Sequence, residues 1–307
     1  MYALSACDCC GSEELDLWPA LVAPFIAEFV LDARPELCEL AECRRCGFRF
    51  FDRRFDASEV ERLYGNYRGD GYFAVRHHHE PWYTRRFNDA FAQDGRMIAE
   101  RQAQLLSFVG ACSSPLSLER VLDFGGDRGQ LIPSQIGRNR RVVYDLSDAP
   151  PVAGVEKIVD PHLLEPGNFD LAILTGVLEH VSRPRELLRE VATLVDRDRG
   201  VLFVQVPWER IALDLVPRGE LYARYLRALA RAPRLGRLVD LWSTACRVKL
   251  GVAPPLGFVK LHEHLNFFDD RSLRALLVAS GLRVARCERG MVAGVDCLSA
   301  VAGFETD

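Results

Sequence analysis

Val121-Leu122-Asp123-Phe124-Gly125-Gly126-Asp127-Arg128-Gly129-Gln130 is the stretch that decides the fold. Two apolar residues end in an acid, and three glycines fall within the six positions that follow it. A buried parallel strand that runs out into a tight turn against a ligand has this form. A Cβ there would block either the turn or the approach of backbone to ligand. The spacing separates two ligand classes. A dinucleotide site wants Gly-x-Gly-x-x-Gly, with the backbone pressed on a pyrophosphate at a helix N-terminus. Asp123, standing before the glycines, would repel a pyrophosphate and attract an ammonium group. The plainer alternative is a strand and a glycine turn that hold nothing.

Working outward, short apolar strands recur. Arg141-Val142-Val143-Tyr144-Asp145 ends in a carboxylate placed for ribose hydroxyls, and Glu156-Lys157-Ile158-Val159-Asp160 ends in another. Phe169 to Leu174 runs into Thr175-Gly176-Val177-Leu178-Glu179-His180-Val181, and Gly200 to Pro207 is a fifth strand. Between the last two, Leu187, Leu188, Val191, Leu194 and Val195 give a helix-period stripe over 185–195. Ala149-Pro150-Pro151 predicts a loop in the second crossover. Alternation of strand and helix predicts a mostly parallel sheet with ligands at the strand C-termini. Asp269 to Ser280 reads as a helix, and Arg283–Cys287 with Val295–Val301 as a closing antiparallel hairpin.

These segments together resemble the class I S-adenosylmethionine-dependent methyltransferases, whose first motif is Asp/Glu-x-Gly-x-Gly-x-Gly; Asp127 stands where the middle glycine usually is. The resemblance implies an α/β, Rossmann-like sheet of seven strands. It places cofactor contacts on Asp123, Phe124, Gly125, Gly126, Asp127, Gly129, Asp145, Leu146, Asp160 and Thr175, with Asp160 at the adenine edge.

The N-terminal part carries a second pattern. Cys7-Asp8-Cys9-Cys10-Gly11 and Cys43-Arg44-Arg45-Cys46-Gly47 are two Cys-x-x-Cys-Gly knuckles. Each points two thiolates at one metal, and the pair makes a tetrahedral four-cysteine site as in zinc ribbons. Cys7, Cys10, Cys43 and Cys46 are the expected ligands of a structural Zn2+, since four thiolates leave no open position. Redox-active thiols are the competing reading. Cys38, Cys112, Cys246, Cys287 and Cys297 are expected in the core.

The chain has 307 residues, 49% of them hydrophobic, and a formal net charge of −4. No apolar run reaches the ~18 residues of a membrane span, and the N-terminus lacks the pattern of a signal peptide. A cytoplasmic protein with no membrane partner is expected, and the charge argues against nucleic acid. The organisation expected is a zinc ribbon over 1–56, with strands at Leu37–Leu40 and Phe48–Phe51. A helical, aromatic-rich linker or lid over 57–115 and the cofactor-binding domain over 116–307 complete it. Tyr64, Tyr67 and Tyr72 in the linker either touch the cofactor or simply pack. Within the last domain, 208–260 reads as a helical insertion after the fifth strand, with ten basic residues against four acids. It is a candidate lid for an anionic substrate, or else a solvated face or an oligomer contact. Arg210, Asp214 and Arg247 belong to that count.

Two histidine clusters are candidates for the chemistry: Glu179-His180 after the fourth strand, and His262-Glu263-His264. Histidine has the unperturbed pKa best suited to a base near neutrality. The knuckles, Val177-Leu178-Glu179-His180 and His262-Glu263-His264-x-x-x-Phe268 resemble the sugar C-methyltransferases of deoxysugar biosynthesis. That resemblance runs from the first knuckle to about Phe268 and implies His180, Glu263 and His264 around the acceptor, with His264 the base. Two departures matter: Leu261 stands where that family has tyrosine, and the family's further C-terminal domain is not seen. Both shift the expectation to a hydroxyl of a sugar, sugar nucleotide or glycan. C-methylation, a zinc-ribbon RNA methyltransferase and a catalytically inactive relative are the alternatives. Leu178-Glu179-His180 is common after this strand in class I methyltransferases, so a capping role for it stays open.

Overall fold

The computed structural model describes residues 1–88, 95–112, 117–209, 211, 213, 216–250, 254 and 256–304. Of the residues counted in the basic insertion, Arg210 and Asp214 lie outside the described set, as does the side chain of Arg247. Parts of the helical linker expected over 57–115 also fall outside it, at 89–94 and 113–116. The chain forms two compact units. One comprises Met1–Cys7, Gly11–Ala90 and Glu209–Phe267; the other comprises Asp8–Cys10, Phe91–Trp208 and Phe268–Asp307.

Order reversal in one sheet organises the second unit. Its strands are β6 (Arg120–Phe124), β7 (Arg140–Tyr144), β8 (Glu156–Ile158), β9 (Leu171–Thr175), β10 (Val201–Pro207), β13 (Arg283–Val292) and β14 (Val295–Gly303). They lie in the order β13-β14-β10-β9-β6-β7-β8. Neighbours from β10 to β8 are parallel, whereas β14 is antiparallel to both β10 and β13. The seven-stranded sheet and its closing hairpin are as the sequence implied. The order turns at β6 and β9, and the crevice at such a switch point is where ligands bind in open α/β sheets. Helix α4 (Gly95–Val109) buries Leu105, Phe108 and Val109 among Val121, Ile173, Phe203 and Val301 of the sheet. Helix α5 (Pro184–Leu194) begins on a proline and buries Leu188, Val191 and Leu194, the inner side of the stripe seen in the sequence.

One departure is physical. The second crossover is a loop as expected, but the first, 125–139, is also without an α-helix. Three glycines, Pro133 and Gly137 fall in that stretch, and each glycine costs a helix about 1 kcal/mol and a proline about 3. Ile132 and Ile136 fill the space beside the sheet instead.

The first unit is built on a five-stranded sheet, β11-β2-β3-β4-β12. Strands β2 (Leu15–Val22), β3 (Leu37–Cys43) and β4 (Arg49–Phe51) form an antiparallel meander. The edges are supplied from far along the chain by β11 (Lys260–Leu261), parallel to β2, and β12 (Asn266–Phe267), antiparallel to β4. A two-stranded pair, β1 (Tyr2–Ala3) with β5 (Arg53–Arg54), stands apart. Its helices are α1 (Pro24–Phe29), α2 (Ala57–Tyr64), α3 (Asp70–His79), α6 (Glu220–Arg231) and α7 (Pro233–Leu250). Phe25, Leu40, Phe51, Tyr72, Leu226 and Leu261 share its core. Helix α2 starts on a capping box, with Asp56 accepting from Glu59 N at 3.1 Å and Glu59 accepting from Asp56 N at 2.8 Å. The last helix of the chain, α8 (Asp270–Ala279), has the same device at Asp269 and Ser272.

Candidate functional site

At the end of β6 the glycine turn encloses a bare acid. Asp123 is 1% exposed, and neither carboxylate oxygen has a hydrogen-bond partner among the described residues. Burial, then the charges of Asp145 and Asp127, push its pKa up to about 7. Gly126 packs against it so closely that a Cβ would fall 2.2 Å from the carboxyl carbon. Gly125, at φ +72°, leaves no room for a Cβ beside Val177. The turn is thus shaped around Asp123.

Asp127 has the left-handed backbone, φ +56°, that glycine would adopt freely. Its N–H donates to Asp145 Oδ2 at 2.8 Å, and Asp145 Oδ1 accepts Ser147 N, also at 2.8 Å. Asp145 therefore ties the glycine turn to the loop after β7, and each oxygen keeps a lone pair for a further donor. The Asp127 carboxylate lies 3.5 Å from Ser147 Oγ. Lys157 completes the net. Its ammonium donates to Ser147 O at 2.6 Å and Ala149 O at 2.7 Å, and lies 3.4 Å from Asp127 O. Sequence reasoning missed Lys157, although a lysine is conspicuous in a chain with only two others, Lys249 and Lys260.

The other expected cofactor residues are placed as follows. Phe124 is buried and packs on Tyr144, ring centroids 4.6 Å apart. Gly129, φ +71°, would press a Cβ on Val155. Leu146 is 45% exposed. Asp160 is exposed and accepts His162 N at 3.0 Å, capping a short 3-10 turn. Thr175 is half-buried at the end of β9. Past it, Glu179 is buried, with His180 Nε2 3.9 Å from its Oε1.

The His262-Glu263-His264 stretch lies between the two edge strands of the first unit's sheet, where Ala23 N donates to Leu261 O and Phe51 N to Leu265 O. Alternation sends neighbours to different surroundings. His264 Nδ1 is bonded to Glu209, and both side chains are about one-third exposed, 34% and 37%. No sequence signal pairs positions so far apart. Glu263 is buried, accepts from the Tyr72 hydroxyl and takes Arg76 Nη1 at 2.9 Å. His262 Nδ1 is the imidazole nitrogen near it, at 3.7 Å. Burial lowers the pKa of His262, with Glu80 opposing. Glu80 accepts from Lys260 at 2.6 Å and Arg76 at 3.2 Å, and Lys260 also reaches Asp240 at 2.8 Å. Desolvation works against the charged form of Glu80, yet His262 and Lys260 hold its pKa below the usual range.

Tyr64, Tyr67 and Tyr72 pack in sequence, with centroids 5.4 Å and 5.2 Å apart, and Tyr72 is fully buried. The three adjacent histidines diverge, His77 to Tyr83 O, His78 to Arg237 and His79 to Glu28.

Cys7, Cys10, Cys43 and Cys46 place their sulfurs within 4.8 Å of one another. The Cys7–Cys46 separation of 3.6 Å is close to the ~3.8 Å edge of a tetrahedron with Zn–S bonds of about 2.3 Å. Each knuckle closes with a glycine at positive φ, Gly11 N donating to Cys7 O and Gly47 N to Cys43 O. Of the other cysteines, Cys38, Cys246, Cys287 and Cys297 are buried as expected, but Cys112 is exposed, because it sits beyond the end of α4 rather than on its inner face.

The family model described as a methyltransferase domain matches residues 92–286. No curated protein matches the sequence. Among solved structures, the chain is similar to a 1,6-didemethyltoxoflavin-N1-methyltransferase of Burkholderia thailandensis with bound S-adenosylhomocysteine. The identity is 16%, over 87% of this chain and 96% of that one, with a TM-score of 0.46. An N,N-8-amino-8-demethyl-D-riboflavin dimethyltransferase of Streptomyces davawensis matches at 15% identity over 81% and 64%, TM-score 0.46. A magnesium protoporphyrin IX methyltransferase of Synechocystis PCC 6803 matches at 16% over 68% and 82%, TM-score 0.40. The family match covers more than half of the chain, including the glycine turn and strands β6 to β10 and reaching the start of β13: the chain belongs to the methyltransferase-domain family, as an S-adenosylmethionine-dependent transferase of the class I fold.

Proposed function

We propose that the protein transfers a methyl group from S-adenosylmethionine to a hydroxyl of a sugar, sugar nucleotide or glycan, with His264 as the base. The observation that carries this reading is the His264–Glu209 pair, a half-buried imidazole backed by a carboxylate. A carboxylate on one ring nitrogen fixes the tautomer and raises the basicity of the other, which is what removal of a hydroxyl proton needs.

The bound cofactor supplies an electrophilic methyl on a sulfonium. The chain's own residues bind and orient it. Asp123 takes the ammonium group, which gives its buried oxygens the partner they lack. Gly125, Gly126 and Gly129 keep side chains out of the turn, and Asp145 accepts from ribose hydroxyls. Asp160 and Leu146 border the adenine, with Phe124, Asp127 and Thr175 completing the surround. On the acceptor side, His180 contributes to positioning, while Glu263, held by Tyr72 and Arg76, positions the His262–His264 stretch rather than exchanging protons. The four cysteines fit a structural Zn2+, which would cross-link the two knuckles and supply no chemistry at the acceptor. The organisation we propose is a zinc ribbon over 1–56, a linker over 57–115 and the methyltransferase domain over 116–307.

A panel of nucleotide sugars and glycans incubated with the enzyme and S-adenosylmethionine, read by mass for gain of one methyl, tests the assignment. On a ketosugar deuterated at the carbon beside the ketone, O-methylation keeps the label, whereas C-methylation replaces that deuteron with the methyl group and releases it to solvent. Methyl gain on RNA and on none of the sugars would refute it.

A further inference from the structure

Helix α7 has one face committed to the protein and one that is not. On the inner face Asp240 binds Lys260 at 2.8 Å, Ser243 Oγ accepts Phe258 N at 3.1 Å, and Cys246 is buried. On the outer face Leu235 is 53% exposed, Leu238 65%, Leu241 48% and Trp242 56%. Positions 235, 238 and 242 follow the i, i+3, i+7 spacing of a single helical stripe, with Leu241 beside it. Four large apolar side chains in water along one helix mark an interaction surface rather than scattered exposure.

The charges on this surface have one sign. Arg234, Arg237 and Lys249 are exposed on α7, and Arg231 is exposed at the end of α6. Asp240, the acid of α7, is turned inward to Lys260. A second copy docked across a two-fold axis would set these cations against their own images, which opposes self-association. An anionic lipid surface satisfies both features at once. Leucine and tryptophan enter the boundary between headgroups and acyl chains, and the arginine and lysine stems extend to the phosphates.

We propose that the outer face of α7 lies in the interface of an anionic bilayer and holds the protein there peripherally. No described helix is long and apolar enough to cross a membrane, and an interfacial helix has no need to be.

The test is co-sedimentation of the full-length protein with vesicles of phosphatidylglycerol and phosphatidylcholine, against vesicles of phosphatidylcholine alone. Binding to the anionic vesicles is expected to be at least about tenfold tighter and to weaken with salt. Leu238→Ser with Trp242→Ser lowers it about tenfold or more, and Arg234→Glu with Arg237→Glu removes the preference for anionic lipid. Tryptophan emission moves to shorter wavelength on the vesicles, and Trp242→Phe, which needs no change in the fold, loses that shift. Equal sedimentation of the wild type and the serine variant overturns the proposal, as does an unchanged emission shift in Trp242→Phe. Absence of binding to either vesicle does the same. A doubling of mass in lipid-free light scattering that the serine substitutions abolish overturns it in favour of a second copy.

Discussion

Two buried acids, Asp123 and Glu263, sit in opposite circumstances. Asp123, in the glycine turn, has no hydrogen-bond partner among the described residues and a pKa pushed up to about 7. Glu263, in the first unit, is held by Tyr72 and Arg76, in a cluster that continues through Glu80 to Lys260 and Asp240. An unpaired buried acid destabilises the ligand-free fold and is retained where a ligand answers it; a saturated one fixes structure. The difference supports the proposed binding role of Asp123 and a structural role for Glu263, although both belong to sequence motifs.

Four experiments probe that division, the largest expected effect first. Removing the proposed Zn2+ by chelation, or by Cys43→Ser with Cys46→Ser, is expected to unfold the N-terminal sheet, since structural zinc contributes on the order of 10 kcal/mol. Metal content by mass spectrometry and circular dichroism report it; one bound zinc per chain lost without change in the melt contradicts the structural role. His264→Ala is expected to lower kcat by roughly 10²- to 10⁴-fold with cofactor affinity unchanged. A wild-type turnover rate rejects the base. Glu263→Gln should act on stability first. Arg76 then loses the charge of Glu263 but keeps Glu80, at a cost of about 2 kcal/mol, read as a lower denaturation midpoint with cofactor affinity retained. Loss of cofactor affinity without loss of stability would move Glu263 to the other side of the comparison. Lys157→Met has the smallest effect, about a tenfold loss of cofactor affinity through slack in the Asp127–Ser147 net. Unaltered affinity would show that Asp145 holds the loops alone.

What the sequence disclosed was local. The strands of the large sheet, the helix at 184–194 and the knuckles each announce themselves within about ten residues, by apolar runs, period or spacing. Asp123 was legible for the same reason, because its neighbours are glycines. The missing first crossover helix was legible in principle from Pro133 and Gly137. Pairings across the chain were not. Nothing local says that Lys260–Leu261 and Asn266–Phe267 complete a sheet begun at Leu15, or that Glu209 meets His264. Those contacts depend on which strand edges and faces meet after folding, and a single sequence carries no record of it.

The proposed role of Asp123 is that of an acid waiting for an ammonium group. In the ligand-free fold its raised pKa means that the native state keeps a proton the unfolded chain has released. Stability therefore falls as pH rises from about 4 to about 7, and Asp123→Asn should stabilise the ligand-free protein at pH 8 by a few kcal/mol. Binding of the ammonium group requires the ionised acid. Calorimetric titration with S-adenosylhomocysteine between pH 6 and pH 8, on the wild type and on Asp123→Asn, measures this directly. Wild-type affinity is expected to rise with pH by up to about tenfold per unit below 7 and then level. The asparagine variant is expected to bind at least about a hundredfold more weakly, with no such pH dependence. Equal affinity of the two proteins, or a flat wild-type profile, would contradict it.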